Sequence, residues 1–259
     1  MSVYRVLFIG DVVGRPGRTA LKAGLGSLQE THSPLFTVVN GENAAGGVGI
    51  TPAIAEEFLA QGVDLITLGN HAFNKREISD YLDKSKRIVR PSNMPVGVPG
   101  TGMTSLRKDD VELAVLNVCG RVYMESYNDP FAEVDRLLSA CATPHVLLDF
   151  HAEATSEKIA MGYHCEGRAS IVVGTHTHVQ TADEQILAGG TAYITDVGMT
   201  GPKNSVLGMD REIILRRFRT SLPDRFQVAE EEGVICGVVV DVQKDTGRAQ
   251  AISRIRFEA

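Results

Sequence analysis

Cysteine is scarce in this sequence, and the few cysteines lie far apart. The four residues Cys119, Cys141, Cys165 and Cys236 include no CxxC pair. Scattered cysteines fit neither the framework of a disulfide-rich domain nor a zinc site built from thiolates. We therefore expect reduced thiols that are buried in the core.

Long apolar runs and a surplus of positive charge are also absent. No segment approaches the roughly 18 apolar residues of a membrane span, and the first residues do not form a secretory signal. The net charge of −6 argues against extensive nucleic-acid binding. These absences predict a cytoplasmic protein without a membrane partner, and they leave homo-oligomer formation open. A small anionic ligand would need local positive charge, which bound metal could supply.

The chain has the composition of a globular protein, with 43% hydrophobic and 22% charged residues. No repeat, low-complexity tract or Pro/Ser-rich linker divides it, so residues 1–259 are interpreted as a single domain. Short β-branched segments alternate with segments whose apolar residues recur every three or four positions, which predicts an α/β fold.

The predicted elements follow from these patterns and from the turn residues that bound them. The predicted strands are Val6–Gly10, Thr37–Asn40, Leu65–Leu68, Leu113–Val118, Val146–Phe150, Ile171–Gly174 and Ala192–Thr195. The predicted helices are Pro52–Gln61, Lys75–Leu82, Pro130–Cys141, Ser156–Gly162 and a stretch around Asp210–Arg219. A turn at residues 245–247 between Val234–Val242 and Gln250–Phe257 predicts a terminal hairpin.

Residues that bind metals or move protons follow nearly every one of these strands. The strand ends read Gly10-Asp11, Gly41-Glu42-Asn43, Gly69-Asn70-His71, Asp149-Phe150-His151 and Gly174-Thr175-His176-Thr177-His178. A single Asp, Asn or His at such a place is often a cap, turn or structural residue. Ligands of α/β sheets, however, bind beyond the carboxyl ends of the strands, so the whole set is expected to converge on one crevice.

The donor types in this crevice indicate metal binding. Carboxylate, amide and imidazole groups without thiolate suit borderline divalent ions such as iron, manganese or zinc. The candidate ligands are Asp11, Glu42, Asn43, Asn70, His151, His176 and His178. They exceed one tetrahedral site, whereas two ions about 3.5–4 Å apart, bridged by a carboxylate, would use them all and suit phosphoester hydrolysis.

The strand-end blocks resemble, in order, the signature blocks of the calcineurin-like metallophosphoesterases. Two longer strings, DFHAEATSEK at residues 149–158 and TDVGMTGP at residues 195–202, resemble the YmdB-like bacterial branch of that superfamily. The resemblance runs through almost the whole chain. It implies a four-layer αββα sandwich, in which two mixed sheets are flanked by helices and the metals lie at one edge.

The resemblance also implies a role for each candidate residue. One metal would be held by Asp11, Asn43 and His178, the other by Asn70, His151 and His176, and Glu42 would bridge the two. A hydroxide shared by the ions would attack phosphorus, and His71 would assist the leaving group or, alternatively, orient the metal site from outside. The implied ions are two divalent or mixed-valence first-row metals, Fe and/or Mn, with Zn as a further candidate.

Three positions depart from the wider superfamily, and all three fit the YmdB-like branch. Val13 stands where a His usually follows the first Asp by two residues, so Asn43 would coordinate in its place or leave a position open. Glu42 replaces the usual bridging Asp, and Ala72 replaces an acidic residue after the Asn-His pair.

The implied activity is hydrolysis of small phosphodiesters, with 2′,3′- or 3′,5′-cyclic nucleotides as substrates. Two alternatives stay open at this point. The same metals could serve a phosphomonoesterase or nucleotidase, which needs room and charge for a dianion. The protein could also be a regulatory nucleotide- or RNA-interacting factor whose metal site is mainly structural, although its acidic charge counts against extensive RNA contact.

Overall fold

Two β-sheets and six α-helices make up the fold in the computed structural model, which describes residues 2–230 and 232–258. The strands are β1 Val3–Ile9, β2 Phe36–Asn40, β3 Leu65–Thr67, β4 Ile88–Val89, β5 Met103–Lys108, β6 Val111–Cys119, β7 Val146–His151, β8 Ile171–Thr175, β9 Gln185–Ile186, β10 Ala192–Ile194, β11 Gly201–Pro202, β12 Gly233–Gln243 and β13 Ala249–Glu258. The helices are α1 Gly14–His32, α2 Pro52–Ala60, α3 Ser79–Lys84, α4 Pro130–Ala140, α5 Thr155–His164 and α6 Arg211–Thr220, and a 3₁₀ turn at Arg76–Ile78 precedes α3.

Both sheets are mixed, with parallel strands at their centres. The first sheet has the order β11-β12-β1-β2-β3-β4, with β13 paired to β12, and its strands β1 to β4 are parallel. The second sheet has the order β5-β6-β7-β8-β10-β9, in which β6, β7, β8 and β10 are parallel. The parallel strands of each sheet therefore end at one edge, which is where α/β folds place their ligands.

An apolar layer joins the inner faces of the two sheets. It includes Val6 and Phe36 from the first sheet and Leu113 and Ile171 from the second, all of them buried. Along these strands alternate side chains point inward, so the β-branched segments of the sequence contribute to the layer between the sheets and to the outer faces as well.

Helices cover the outer face of each sheet. Leu21 of α1 and Phe58 of α2 pack with Ile9 on the outside of the first sheet. Val134 of α4 and Met161 of α5 pack against β6, β7 and β8 on the outside of the second sheet. The four-layer αββα arrangement implied by the sequence resemblance is thus confirmed.

The longest helix, α1, is absent from the sequence prediction because glycine interrupts its pattern. It contains four glycines, which lower intrinsic helix propensity. A Cβ atom at Gly17 would overlap the carbonyl oxygen of Thr200, and one at Gly24 would lie 2.7 Å from Cδ1 of Ile235. Gly17 and Gly24 are therefore needed for close packing against the first sheet. The same glycines weaken the helical pattern in the sequence.

Every strand and helix predicted from the sequence is present, with bounds that shift by three residues or fewer. The predicted terminal hairpin is β12 paired with β13, and the predicted helix at Lys75–Leu82 consists of the 3₁₀ turn followed by α3. The strands β4, β5, β9 and β11 were not predicted, because they are very short or mostly polar. Of the helices in the described residues, none combines the length and apolar character needed to cross a bilayer.

The four cysteines, all within the described part of the chain, are free thiols. Cys119, Cys165 and Cys236 are buried, whereas Cys141 is half-buried. Burial raises the pKa of Cys165 to about 12, which keeps this thiol protonated and inert at neutral pH. The expectation of reduced core thiols is confirmed for three of the four positions.

Candidate metal centre

The predicted donor residues meet at the carboxyl ends of strands from both sheets. Asp11, Glu42, Asn43 and Asn70 follow β1, β2 and β3 of the first sheet, while His151, His176 and His178 lie at the ends of β7 and β8 of the second. The crevice between the two sheets therefore assembles the site, and each sheet contributes different donors: carboxylates and amides from the first, imidazoles from the second.

Nε2 of His151 lies at the centre of one half of the site. It lies 3.0 Å from Oδ1 of Asn70, 3.1 Å from Oε1 of Glu42 and 3.0 Å from Nδ1 of His176. Two ligands that sit at right angles, each about 2.1 Å from a shared ion, are about 3 Å apart. The observed spacing, which is also that of hydrogen bonds, therefore fits atoms that share one cation.

A buried hydrogen-bond chain orients the His151 ring. The hydroxyl of Thr175 donates to Oδ1 of Asp149 at 2.7 Å, so its oxygen accepts from Nδ1 of His151 at 2.8 Å. Asp149 also accepts from Asn40 and Thr67, which lie at the ends of two strands of the first sheet. When the ring gives up its Nε2 proton, as metal binding requires, the proton on Nδ1 stays in this hydrogen-bond chain and the Nε2 lone pair faces the crevice.

His176 presents its other ring nitrogen to the same space. Its Nε2 lies 3.1 Å from Oε2 of Glu153, an acceptor that favours the proton on Nε2 and leaves the Nδ1 lone pair facing His151. Burial, and then repulsion by His151, lowers the pKa of His176 to about 3. This imidazole is therefore neutral at neutral pH, as a metal ligand must be.

The second half of the site contains His178, Asn43 and Asp11. Nδ1 of His178 lies 3.0 Å from the carbonyl oxygen of Leu207, and because a carbonyl only accepts, Nε2 keeps its lone pair. This Nε2 lies 3.3 Å from Oδ1 of Asn43, whose amide nitrogen donates to the carbonyl of Gly47 at 3.1 Å. It also lies 4.0 Å from Oδ1 of Asp11.

Asp11 is the least satisfied carboxylate of the cluster. Its Oδ2 accepts from the backbone of His176 at 3.3 Å, but Oδ1 is buried and has no hydrogen-bond partner among the described residues. Burial raises the pKa of Asp11 to about 6 against the opposing effect of His178 and His151. A buried carboxylate oxygen without a donor fits a position where a cation binds.

The charge of Glu42 affects the pKa values of His151 in one half of the site and of Asp11 in the other. Burial alone would raise its pKa, but the charge and hydrogen bond of His151, together with His71, lower it to about 2. Burial likewise opposes the charge on His151, yet Glu42 and Asp11 raise the pKa of this ring to about 9. In the metal-free protein, a proton on His151 therefore offsets part of the negative charge of Glu42 and Asp11. A bound cation could offset that charge at the same place.

His71 lies at the rim of the cluster. Its backbone N–H donates to Oε2 of Glu42 at 3.2 Å, and its half-buried ring lies beside Asn70, with Nε2 3.4 Å from the amide nitrogen. The three residues whose ligand atoms lie within 4.8 Å of one another are Glu42, His151 and His176, so His71 is outside this group. Asp11 and His178 also lie outside this group, and the role of His71 stays a prediction.

Backbone geometry also adapts to the site. His176 and His178 have positive φ angles of 94° and 66°, a conformation that costs about 1–3 kcal/mol in a residue other than glycine. A Cβ atom at Gly69 would overlap Oε2 of Glu42 and Nε2 of His151, so only glycine leaves room for the donors. Strain and close packing at the ligands indicate that the surrounding structure determines their positions.

The outer contacts of the histidines were not predicted. Asp149 and Thr175 lie within the strand-end strings, but nothing in the sequence shows that they orient His151. Glu153 was left out of the site, and the carbonyl of Leu207 belongs to a loop with no visible signal. Val13, by contrast, is fully buried and packs near Gly201 and Gly208, and its side chain has no atom that could bind a metal.

Known proteins resemble this chain along almost its whole length. A family model described as YmdB-like protein matches residues 7–255. The 2′,3′-cyclic-nucleotide 2′-phosphodiesterase of Bacillus subtilis is 53% identical over 253 residues, which cover 97% of this chain and 96% of that protein. A crystal structure of a hypothetical protein from Thermus thermophilus has a TM-score of 0.90 and 42% identity, and the match covers 98% of this chain and 99% of that chain. The crystal structure of a novel phosphatase from Mycoplasma pneumoniae has a TM-score of 0.95 and 32% identity, with 100% and 94% covered.

Proposed function

Because the chain belongs to the YmdB-like family, we propose that it is a dinuclear metal-dependent phosphodiesterase that hydrolyses small phosphodiesters. The observation that carries the proposal is the orientation of His151, His176 and His178, each of which engages one ring nitrogen outside the crevice and directs the other nitrogen into it. Oxygen atoms of Glu42 and Asn70 face the same space. In the metal-free protein the proton on His151 supplies positive charge between these atoms, and divalent ions would supply it in place of that proton.

The two halves of the cluster define the proposed ligand sets. One ion would be held by Asn70, His151 and His176, the other by Asp11, Asn43 and His178, with Glu42 shared between them. Since all donors are nitrogen or oxygen, we propose iron or manganese as the native ions, with zinc as the alternative.

The chemistry divides between the ions and the chain. When bound, two divalent ions lower the pKa of a water molecule and stabilise negative charge on the phosphate oxygens. Glu42 keeps its negative charge at neutral pH, because its pKa lies at about 2, so it can serve both ions. His71, at the rim and outside the donor cluster, donates a proton to the departing alkoxide oxygen.

The charge of the site favours a diester over a monoester. Within the described residues, no Lys or Arg side chain forms a hydrogen bond with any of the seven donors. Lys158, the buried cation near His176, is already paired with Asp196 at 2.7 Å. A phosphate dianion would gain from additional positive side chains, whereas a diester carries a single charge.

The choice of substrate rests on the relative from Bacillus subtilis, whose name specifies a 2′,3′-cyclic nucleotide. The metal-loaded protein should hydrolyse 2′,3′-cyclic nucleotides and bis(p-nitrophenyl) phosphate faster than p-nitrophenyl phosphate, with 3′,5′-cyclic nucleotides measured in parallel. Initial rates on this panel test the proposal. Faster hydrolysis of the monoester would identify a phosphomonoesterase instead, and no hydrolysis of any substrate would exclude catalysis of this class.

Asn43 provides a test of the second half of the site. We expect Asn43→Ala to lose about one equivalent of metal per chain, because Asn43 supplies an oxygen donor where Val13 supplies none. Loss of a residue that only hydrogen-bonds to a metal ligand lowers affinity about 10- to 100-fold, so loss of a ligand should lower it at least as much. Metal content after equilibrium dialysis is the measurement, with the exposed Asn74→Ala variant as the control. Unchanged stoichiometry and affinity would remove Asn43 from the ligand set.

A further inference from the structure

A fully buried ion pair lies directly behind the two strained histidines and has no part in the proposed chemistry. Lys158 of α5 is 1% exposed and Asp196, two residues beyond β10, is completely buried, with Nζ and Oδ2 2.7 Å apart. A buried ion pair often stabilises a fold no more than apolar residues of the same size would. A role other than stability is therefore worth seeking for Lys158 and Asp196.

Asp196 holds the turn between the two histidines. Its Oδ2 accepts from the backbone N–H of Thr177 at 3.1 Å and from the Thr177 hydroxyl at 2.6 Å. Nζ of Lys158 also lies 3.4 Å from the same hydroxyl oxygen. Thr177 is therefore fixed through its main chain and its side chain at once.

The segment that contains Asp196 forms a further hydrogen bond with the turn at residues 176–178. The backbone of Met199 donates to the carbonyl of His178 at 3.2 Å, and Oδ1 of Asp196 accepts from Gly198 at 2.8 Å, which keeps the segment in place. A Cβ atom at Gly174 would overlap the carbonyl of Thr195 and lie 3.0 Å from Cδ of Lys158. Glycine at this position allows β8 to approach both groups.

We propose that Lys158, Asp196 and Thr177 form a clamp that positions His176 and His178 for two different ions and so sets the separation of those ions. The proposal rests on the proposed dinuclear function. His176 and His178 are the chain neighbours of Thr177, and both have positive φ angles. Contacts that fix the backbone of Thr177 therefore also restrict the backbone positions from which the two imidazole rings extend. The three clamp residues are positioning residues, since they act through the histidines.

Thr177 offers the clearest test, because substitution of Lys158 or Asp196 alone would strand a buried charge and is expected to unfold the protein. Thr177→Val keeps the shape of the side chain and removes the hydroxyl, while Thr177→Ser keeps the hydroxyl. We expect Thr177→Val to bind Mn²⁺ about 10- to 100-fold more weakly than the wild type and Thr177→Ser to restore most of the affinity. The EPR spectrum of the bound Mn²⁺ pair should change in Thr177→Val, since it depends on the distance between the ions.

The measurements are Mn²⁺ binding to metal-free protein, the EPR spectrum of the loaded protein and thermal unfolding of the metal-free form. Wild-type affinity and an unchanged spectrum in Thr177→Val would overturn the clamp. Equal losses in Thr177→Val and Thr177→Ser would also overturn it, because the hydroxyl would then be irrelevant. If the wild type itself binds fewer than two Mn²⁺ ions, the dinuclear function fails, which is a separate result from failure of the clamp.

Discussion

Glu42→Gln should lower kcat/KM for a 2′,3′-cyclic nucleotide by about 10³- to 10⁴-fold, equivalent to several kcal/mol of lost charge stabilisation. The carboxylate uses both oxygens: Oε1 lies 3.1 Å from Nε2 of His151, and Oε2 accepts from the backbone of His71. An amide has the same shape but no net charge, and its NH₂ group must face one of these two partners. The variant should therefore bind metal weakly in both halves of the site.

Activity, metal content and thermal unfolding of Glu42→Gln are the required measurements. The exposed Glu77→Gln variant is the matched control, since it makes the same chemical change at a residue that is not one of the seven donors. We expect the metal-free Glu42→Gln protein to remain folded, because His151 can release its proton when the neighbouring carboxylate is lost, so that no buried charge is left without a partner. Two tightly bound ions and wild-type turnover in this variant would show that Glu42 is not shared between the metals.

His71→Ala should lower kcat for a cyclic nucleotide by about 10²- to 10⁴-fold, the usual contribution of a general acid. The leaving group of a cyclic nucleotide is an alkoxide and needs a proton, whereas p-nitrophenolate departs readily as an anion. The same variant should therefore lose much less activity on bis(p-nitrophenyl) phosphate. Metal content should not change, because neither proposed ligand set includes His71.

The comparison of two leaving groups separates the two roles of His71. A proton donor affects the poor leaving group selectively, whereas a residue that orients the metal site affects both substrates equally and lowers metal content. The control variant is His32→Ala, which removes an imidazole at the last residue of α1, outside the metal centre. Equal losses on both substrates would assign His71 to metal positioning.

Much of the donor cluster could be predicted from the sequence because strand ends carry it. Asp11, Glu42 and Asn70 each follow a β-branched run and a glycine, and parallel strands bring such positions to one edge. His151 and His176 could be placed in the same way. Each of these residues can be read directly from the sequence next to its strand. The α/β fold class then predicts that the ends of the parallel strands, and so these residues, lie at the same edge of the sheet.

The orientation of those donors could not be predicted, because it depends on contacts between distant segments. Asp149 orients His151 through Thr175 while it binds Asn40 of the first sheet, and the loop at Leu207 fixes His178 across the crevice. The glycines of α1 hid a helix for a related reason: Gly24 packs against β12 and β13, which begin more than 200 residues after the start of the helix. Long-range packing decides these features, whereas periodicity reports local structure only.

Titration of Mn²⁺ into the metal-free protein, with the rate of 2′,3′-cyclic AMP hydrolysis measured at each addition, tests two-metal catalysis most directly. The rate should rise to a plateau at two equivalents of metal per chain, because the donors form two half-sites that share Glu42. A plateau at one equivalent, or hydrolysis that persists without metal, would contradict the proposed dinuclear mechanism.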